Sequence, residues 1–196
     1  MPATPGDRKI LGILLAAGGG SRFVASTHKL LAPLRGRRVV DWSIASLVAA
    51  RLDGVVVVTG SAEFELPEGV TRAHNPNWAD GQATSLQAGL AAADRLGADA
   101  VVVGLGDQPF VTPEAWRAVA ESPHQIAIAT YDGHRGNPVR LHRSIWPLLP
   151  TEGDQGARSL IALRPDVVGE VACSGSPADI DTMEDLQQWN SSTNSP

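Results

Sequence analysis

A glycine-rich turn followed by two basic residues is the part of this sequence that most directly suggests chemistry. Three glycines at 18–20 follow an apolar run at residues 10–17, and Arg22 and Lys29 then bring positive charge. Glycine adopts backbone angles closed to other residues, so successive N–H groups can converge on an anion. Where such a turn follows a buried strand of an α/β sheet, it predicts a site for nucleotide phosphates.

The turn does not match the two best-known phosphate-binding loops. It lacks the glycine spacing and the Lys-Ser or Lys-Thr pair of a Walker loop, and Phe23 stands where a Rossmann dinucleotide turn requires its third glycine. A triple glycine alone is equally consistent with a flexible turn.

A carboxylate follows another apolar run. Asp107 comes directly after residues 98–105, at the end of the strand where open α/β sheets bind ligands. We interpret Gly104 and Gly106 as leaving room for a ligand. Mg²⁺ commonly takes one or two carboxylates together with substrate phosphates, so Asp107 is a candidate ligand. The alternative is a turn aspartate bonded to its own backbone.

Three further segments carry polar groups that could reach the same edge. Asp179 and Asp181 are two residues apart, so on an extended segment both could face one cation, although Asp181 could also simply favour the following helix. Gly81–Ser85 opens a helix with hydroxyls and a glycine that could approach a flat base. Loops 136–138 and 153–156 are rich in glycine and amides, which suits ligand binding and ordinary turns alike.

Alternating strand and helix patterns must position these groups. Strands are predicted at 10–17, 55–59, 70–74, 98–105, 125–130, 139–141 and 167–171, with the loop at 136–138 interrupting. Helical spacing appears over 40–48 and 86–93, and further helices are predicted after Thr112, the 153–156 loop and Thr182. This order predicts a three-layer, Rossmann-like α/β fold whose mixed sheet is mostly parallel, with an antiparallel addition at 136–141.

Bulk properties limit the function classes. The 196 residues suit a single domain, 1–196, with a core at about 8–189 and a frayed polar tail at 190–196. A net charge of −5 argues against nucleic-acid binding, and one cysteine, Cys173, excludes an internal disulfide and a cysteine-rich zinc site. The histidines show no metal-ligand spacing. The start of the chain does not resemble a signal peptide and the apolar runs are too short to span a membrane, so we expect a cytoplasmic protein.

Six blocks in order resemble the MobA-like nucleotidyltransferases of molybdenum cofactor biosynthesis. The blocks are LAAGGGSRF with Lys29, NPNWADGQATSLQAGL, GLGDQP, RGNPV, GDQGARSLI and DIDTMEDL, which together cover nearly the whole chain. Ala17 and the DIDT block are similar to the cytidylyltransferase branch rather than the guanylyltransferase branch. The chain departs from the family at Val24, where many members have glycine.

The resemblance implies transfer of CMP from CTP to the phosphate of molybdopterin, with release of pyrophosphate and with Mg²⁺ as the metal. It assigns catalysis to Arg22, Lys29 and Asp107, and metal binding to Asp107 and Asp181. The implied nucleotide-binding residues are Leu15, Ala16, Ala17, Gly18, Gly19, Gly20, Ser21, Arg22, Lys29, Asn75, Gly81, Ser85 and Asp107. The implied acceptor-binding residues are Gln108, Asn137, Asp154 and Gln155.

Other functions remain open at this point. One alternative is a transferase that uses GTP or another phosphorylated acceptor, and a second is a nucleotide-binding regulator without catalysis. A regulator would be expected to lose Arg22, Lys29 or Asp107, and all three are present. The resemblance also suggests a molybdoenzyme or its maturation chaperone as a partner, and neither nucleic acid nor membrane.

Overall fold

The computed structural model describes residues 8–20, 23 and 27–191. Its strands are β1 (Ile10–Ala16), β2 (Pro33–Leu34), β3 (Arg37–Arg38), β4 (Val55–Thr59), β5 (Val70–His74), β6 (Ala100–Leu105), β7 (Ile126–Tyr131), β8 (His134–His142) and β9 (Val168–Ala172). Its helices are α1 (Val39–Ala49), α2 (Gln82–Arg95), α3 (Pro113–Glu121), α4 (Arg158–Leu163) and α5 (Met183–Ser191). Short 3₁₀ turns occupy Lys29–Leu31, Trp78–Asp80, Arg143–Leu148 and Pro165–Val167.

Seven strands form one sheet in the order β5-β4-β1-β6-β8-β7-β9. β1 pairs in parallel with β4 and β6, β4 with β5, and β7 with β9. β8 pairs antiparallel with both β6 and β7. Within the described ranges β8 is therefore the one reversed strand of this sheet, which confirms the predicted mostly parallel sheet with an antiparallel addition.

Helices cover both faces of the sheet. α2 packs with Ile13, Val58 and Val103 on one face, whereas α1 and α3 pack with Leu14 and Val57 on the other. Central strands such as β4 and β6 are buried on both sides, which explains their continuous runs of valine. A third cluster joins Phe110 and Ile180 to α5. The three-layer prediction is confirmed.

Local signals for helix ends are confirmed at three positions. The Thr112 hydroxyl accepts from the Ala115 N–H, with Pro113 at the start of α3. Thr182 accepts from the Asp185 N–H at 3.1 Å while Asp185 accepts from the Thr182 N–H, which is a capping box. Gly97 follows α2 with φ of +74°.

Some sequence interpretations were wrong in detail. Residues 136–138 do not separate two strands but lie within β8, which runs from His134 to His142. The predicted interruption is present as an irregularity in the pairing with β7, where Gly136 lies opposite Ala129 and Val139 opposite Ile128. The space beside Gly104 is filled by the Trp116 ring and that beside Gly106 by Ala16, so these glycines serve packing rather than a ligand.

Two element boundaries also differ from the predictions. The helix predicted from the 153–156 loop begins only at Arg158. Asn190 is not part of a frayed tail, because α5 continues to Ser191 and the Asn190 side chain accepts from the Arg35 N–H at 2.8 Å. Residues 192–196 lie outside the described part of the chain. No described helix is long and apolar enough to cross a membrane.

Candidate active site

A cavity of about 600 Å³ opens at the edge of the sheet where β1 and β6 end. Its volume lies within the range of about 300–1,000 Å³ that is typical of small-molecule sites. Its lining includes Leu15, Ala16, Ala17, Gly18, Gly19, Gly20, Lys29, Trp78, Gly81, Ser85, Asp107, Asp154, Asp179 and Asp181. The structure thus brings together segments far apart in sequence.

The glycine turn forms one wall of this cavity. Gly20 has φ of +62°, a conformation that favours glycine, and a Cβ there would meet the Lys29 stem at 3.0 Å. At Gly19 a Cβ would lie 2.7 Å from the Trp78 ring, so the turn is held between these two side chains. The predicted nucleotide-binding Ser21 and the predicted catalytic Arg22 lie outside the described residues.

Lys29 bridges two carboxylates inside the cavity. Its Nζ lies 2.5 Å from Oδ2 of Asp107 and 3.0 Å from Oδ1 of Asp181. All three side chains are at most 24% exposed, so the charges are only weakly screened. Burial by itself would lower the pKa of Lys29, but the two carboxylates outweigh it and raise that pKa. Lys29 is therefore a firmly charged ammonium.

Backbone contacts fix the two carboxylates relative to each other. The Ile180 N–H donates to the Asp107 carbonyl at 2.9 Å, and the Ile180 side chain is fully buried. The Ser43 hydroxyl of α1 donates to the Gly106 carbonyl at 3.0 Å. The loop after β6 and the segment before α5 are thereby pinned side by side, although 74 positions separate Asp107 from Asp181 in the sequence.

Asp179 belongs to a neighbouring amide network rather than to the lysine pair. Gln108 Nε2 donates to Asp179 Oδ1 at 2.7 Å, and Asn137 Nδ2 donates to Gln108 Oε1 at 3.1 Å. Burial and the charges of Asp107 and Asp181 raise the pKa of Asp179. Asp179 and Asp181 both line the cavity, as their spacing predicted, but they have different partners.

The start of α2 forms the opposite wall. Ser85 lines the cavity, whereas Asn75 is buried behind it and donates to the Thr84 and Ser85 hydroxyls at 2.9 and 3.0 Å. Gly81, with φ of +110°, approaches the Gly153 backbone so closely that a Cβ would lie 2.5 Å from it. Asn75 thus positions Ser85 instead of facing the cavity, and the predicted direct contact of Asn75 with a nucleotide stays a prediction.

A narrow apolar slot of about 60 Å³ adjoins the main cavity. Asn137 and Gln155 line it together with Leu105 and Val139. Arg158 and Leu15 line both spaces. Of the four predicted acceptor residues, Asp154 lines the main cavity and Asn137 and Gln155 line the slot. Gln108 is buried and accepts a hydrogen bond from Asn137.

The residues present fit a hard divalent cation only in part. Among the described residues no group of three or more His, Cys, Asp and Glu side chains could hold a metal. Asp107 and Asp181 place two carboxylates around the Lys29 ammonium. Two carboxylates suit Mg²⁺ when substrate phosphates complete its coordination. The donor set fits a metal that arrives with a nucleotide.

Sequence reasoning missed several residues of this site. Trp78 packs on the glycine turn and Arg158 lies between the two spaces, although both stand inside sequence blocks that were recognised. His28 was examined only for metal spacing, yet it contacts the Gly18 carbonyl. The position of His28 directly before Lys29 was the available signal.

Comparison with known proteins identifies the class. The model of the MobA-like NTP transferase domain matches residues 12–168, and the chain belongs to this family. Its α/β nucleotidyltransferase fold agrees with that of solved relatives. The chain is similar to the structure of Rv0371c from Mycobacterium tuberculosis, with a TM-score of 0.81, 28% identity, and 94% of this chain and 99% of the other covered.

Two curated relatives span nearly the same length. One is the purine catabolism protein PucB of Bacillus subtilis, 31% identical over 90% of this chain and 93% of PucB. The other is nicotine blue oxidoreductase of Paenarthrobacter nicotinovorans, 31% identical over 90% of this chain and 94% of that protein. A complex of Rv0371c with manganese, 27% identical with a TM-score of 0.77, covers 94% of this chain and 100% of its own.

Proposed function

We propose that this protein is a nucleotidyltransferase that moves CMP from CTP to the phosphate of molybdopterin and releases pyrophosphate. The observation that carries the proposal is the Lys29 ammonium held between Asp107 and Asp181, in one cavity with the glycine turn. A cation, two carboxylates and a glycine turn whose N–H groups can converge on phosphate suit the transfer of a nucleotidyl group.

Catalysis of this reaction depends on positioning and charge neutralisation. The glycine turn and Arg22 would hold the β- and γ-phosphates, while Lys29 would leave its carboxylates and neutralise charge on the α-phosphate. The acceptor phosphate attacks the α-phosphorus in line, the new P–O bond forms, and the bond to pyrophosphate breaks. A phosphate is already ionised near neutral pH, so no protein base is required.

Asp107 and Asp181 would hold Mg²⁺, which would supply positive charge across the phosphate oxygens of the bound nucleotide. The manganese complex of a related structure supports a divalent metal in this family. When Lys29 turns toward the nucleotide, it leaves its place between the two carboxylates, and a cation could replace it there.

The acceptor would lie on the side of the cavity formed by β8 and the loop before α4. Asn137, Asp154 and Gln155 offer amide and carboxylate groups there, and Gln108 holds Asn137 in place. Ser85 and Gly81 would contact the base or the ribose. These assignments rest on position, together with the resemblance to the family.

The choice of CTP and molybdopterin rests on Ala17 and the DIDT block, and alternatives of the same class are GTP and other phosphorylated acceptors. One relative bears the name of an oxidoreductase, so membership of this family does not by itself fix the reaction. The paired carboxylates and lysine favour transfer over redox chemistry. Cytoplasmic location, and partnership with a molybdoenzyme or its chaperone, are part of the proposal.

The test is incubation with each of the four NTPs, Mg²⁺ and molybdopterin, with pyrophosphate release as the readout. We expect CTP to give the fastest release, and only when molybdopterin is present. Faster release with GTP would favour the guanylyl alternative. No release of pyrophosphate with any of the four NTPs would contradict transferase activity.

A further inference from the structure

His28 contacts the glycine turn and directly precedes Lys29 in the sequence. The His28 Nδ1 accepts from the Leu30 N–H at 3.2 Å, so Nδ1 carries no proton. The remaining ring nitrogen, Nε2, then carries the hydrogen and lies 3.0 Å from the Gly18 carbonyl oxygen. The imidazole is a neutral bridge between the turn and the Lys29–Leu31 3₁₀ turn.

Ser61, two residues after the end of β4, contacts the same part of the turn. Its hydroxyl lies 2.9 Å from the Gly18 carbonyl, 3.1 Å from the Ala17 carbonyl and 3.1 Å from His28 Nε2. Its backbone N–H also donates to the Ala17 carbonyl at 3.0 Å. Two carbonyl oxygens of the turn are therefore held by donors from two different segments.

We propose that His28, assisted by Ser61, is a positioning residue that holds the glycine turn in its phosphate-binding shape and couples it to Lys29. A carbonyl oxygen repels phosphate oxygens, so donors that fix the Gly18 carbonyl keep it from turning toward the nucleotide. Because His28 directly precedes Lys29, the same ring ties the lysine to the turn. The proposal rests on the proposed nucleotide site.

The chain contains a matched control at the opposite edge of the sheet. His142 also caps a 3₁₀ turn, and its Nδ1 accepts from the Ser144 N–H at 3.2 Å, as His28 does from Leu30. His142 lies at the end of β8, which runs away from the cavity. If the loss of a 3₁₀ cap were enough to weaken nucleotide binding, substitution of either histidine should weaken it. If His28 holds the glycine turn, only substitution of His28 should do so.

The test compares His28→Ala, His28→Gln, His28→Asn and His142→Ala by calorimetric titration with CTP and Mg²⁺. His28→Ala should weaken CTP binding about three- to tenfold, or ~0.7–1.4 kcal/mol. A glutamine amide can reproduce the Nε2 donor, so His28→Gln should restore most of the affinity, while His28→Asn, which reproduces only the cap on Leu30, should not. His142→Ala should bind CTP like wild type.

Order parameters of the Gly18–Gly20 amides, measured by NMR without nucleotide, separate this proposal from the proposed function. They should fall in His28→Ala toward about 0.6 and stay near wild type in His28→Gln and His142→Ala. Unchanged order parameters in His28→Ala would overturn the proposal that His28 holds the glycine turn. If wild type bound no NTP, the proposed function would fail, while the order parameters would still decide whether His28 holds the turn.

Discussion

The two halves of the sheet meet the cavity in different ways. In the half formed by β5, β4, β1 and β6 all strands run in parallel, so residues that line the cavity follow the strands, as the glycine turn follows β1 and Asp107 follows β6. In the other half β8 is reversed, and its first residues, not its last, lie at this edge. Asn137 reaches the slot for this reason.

This difference separates two kinds of specificity. The parallel half supplies the glycine turn, Lys29 and Asp107, which suit the charged phosphates common to every NTP. The mixed half supplies Asn137 and the segment before α5 with Asp179 and Asp181. We infer that the first half carries the nucleotide and the second half, except for Asp181, discriminates the acceptor.

The largest effect is expected for Asp107→Asn. Asparagine keeps the size of the side chain but loses the charge that binds a hard cation, so turnover should fall about 1,000-fold or more, which is about 4 kcal/mol of barrier. Steady-state kinetics over a range of Mg²⁺ concentrations measures this. Asp166→Asn, which alters an exposed aspartate paired with Arg164 outside the cavity, is the control. An unchanged Mg²⁺ requirement in Asp107→Asn would refute the site.

Lys29→Ala should lower kcat by about 100- to 1,000-fold, since a preorganised cation facing developing charge is removed. The same change leaves Asp107 and Asp181 without their shared ammonium, so Mn²⁺ should bind the nucleotide-free protein more tightly. Titration of free Mn²⁺ followed by electron paramagnetic resonance measures this second effect. Lys9→Ala, whose Nζ contacts the Leu96 carbonyl, should change neither quantity. Weaker Mn²⁺ binding by Lys29→Ala would contradict this account of the ion pair.

Asn137→Ala sharpens the comparison between the halves. It should raise KM for the acceptor about tenfold, or about 1.4 kcal/mol, while the Kd for CTP stays within about twofold. Separate titrations of the two substrates measure this. An equal loss of affinity for both substrates would mean that the halves are not functionally distinct.

The smallest effect is expected for Asp179→Asn, measured as stability. The pKa of Asp179 is raised in the folded protein, so the folded state binds this proton more tightly than the unfolded chain does. Stability linked to Asp179 is therefore lost as pH rises from the ordinary value of 3.8 through the raised value. The variant should lack this loss and be more stable at pH 7 by up to about 0.5 kcal/mol, a small effect because the Asp179 side chain is only partly buried and solvent screens its charge. Urea unfolding at pH 3.5 and 7 tests the sign, and a less stable variant at pH 7 would contradict it.

Sequence patterns were sufficient for the parallel half because its signals are local. The apolar run of β4 was predicted with its observed bounds, and the capping residues Thr112 and Thr182 act as expected. The glycine turn, Gly81–Ser85 and Asp107 were predicted to share one edge because the carboxyl ends of parallel strands meet there. Gly18–Gly20, Gly81, Ser85 and Asp107 do line one cavity.

The same patterns failed where long-range packing decides. Gly104 could not be distinguished from a ligand-facing glycine, because only the fold shows that Trp116 fills its space. β8 is one strand because it pairs with β7 on both sides of the 137–138 step, and the break suggested by Gly136 and Pro138 is reduced to a shift of register. The pairing of Lys29 with two carboxylates likewise required tertiary structure.

The most direct test of the central claim follows the phosphorus atoms of CTP. Wild-type protein is incubated with molybdopterin, Mg²⁺ and CTP labelled at either the α- or the γ-phosphorus. The account predicts that the α-label appears in a dinucleotide product while the γ-label appears in pyrophosphate, in equal amounts. Transfer of the γ-label to the acceptor, or its release as orthophosphate without a dinucleotide, would contradict nucleotidyl transfer at this site.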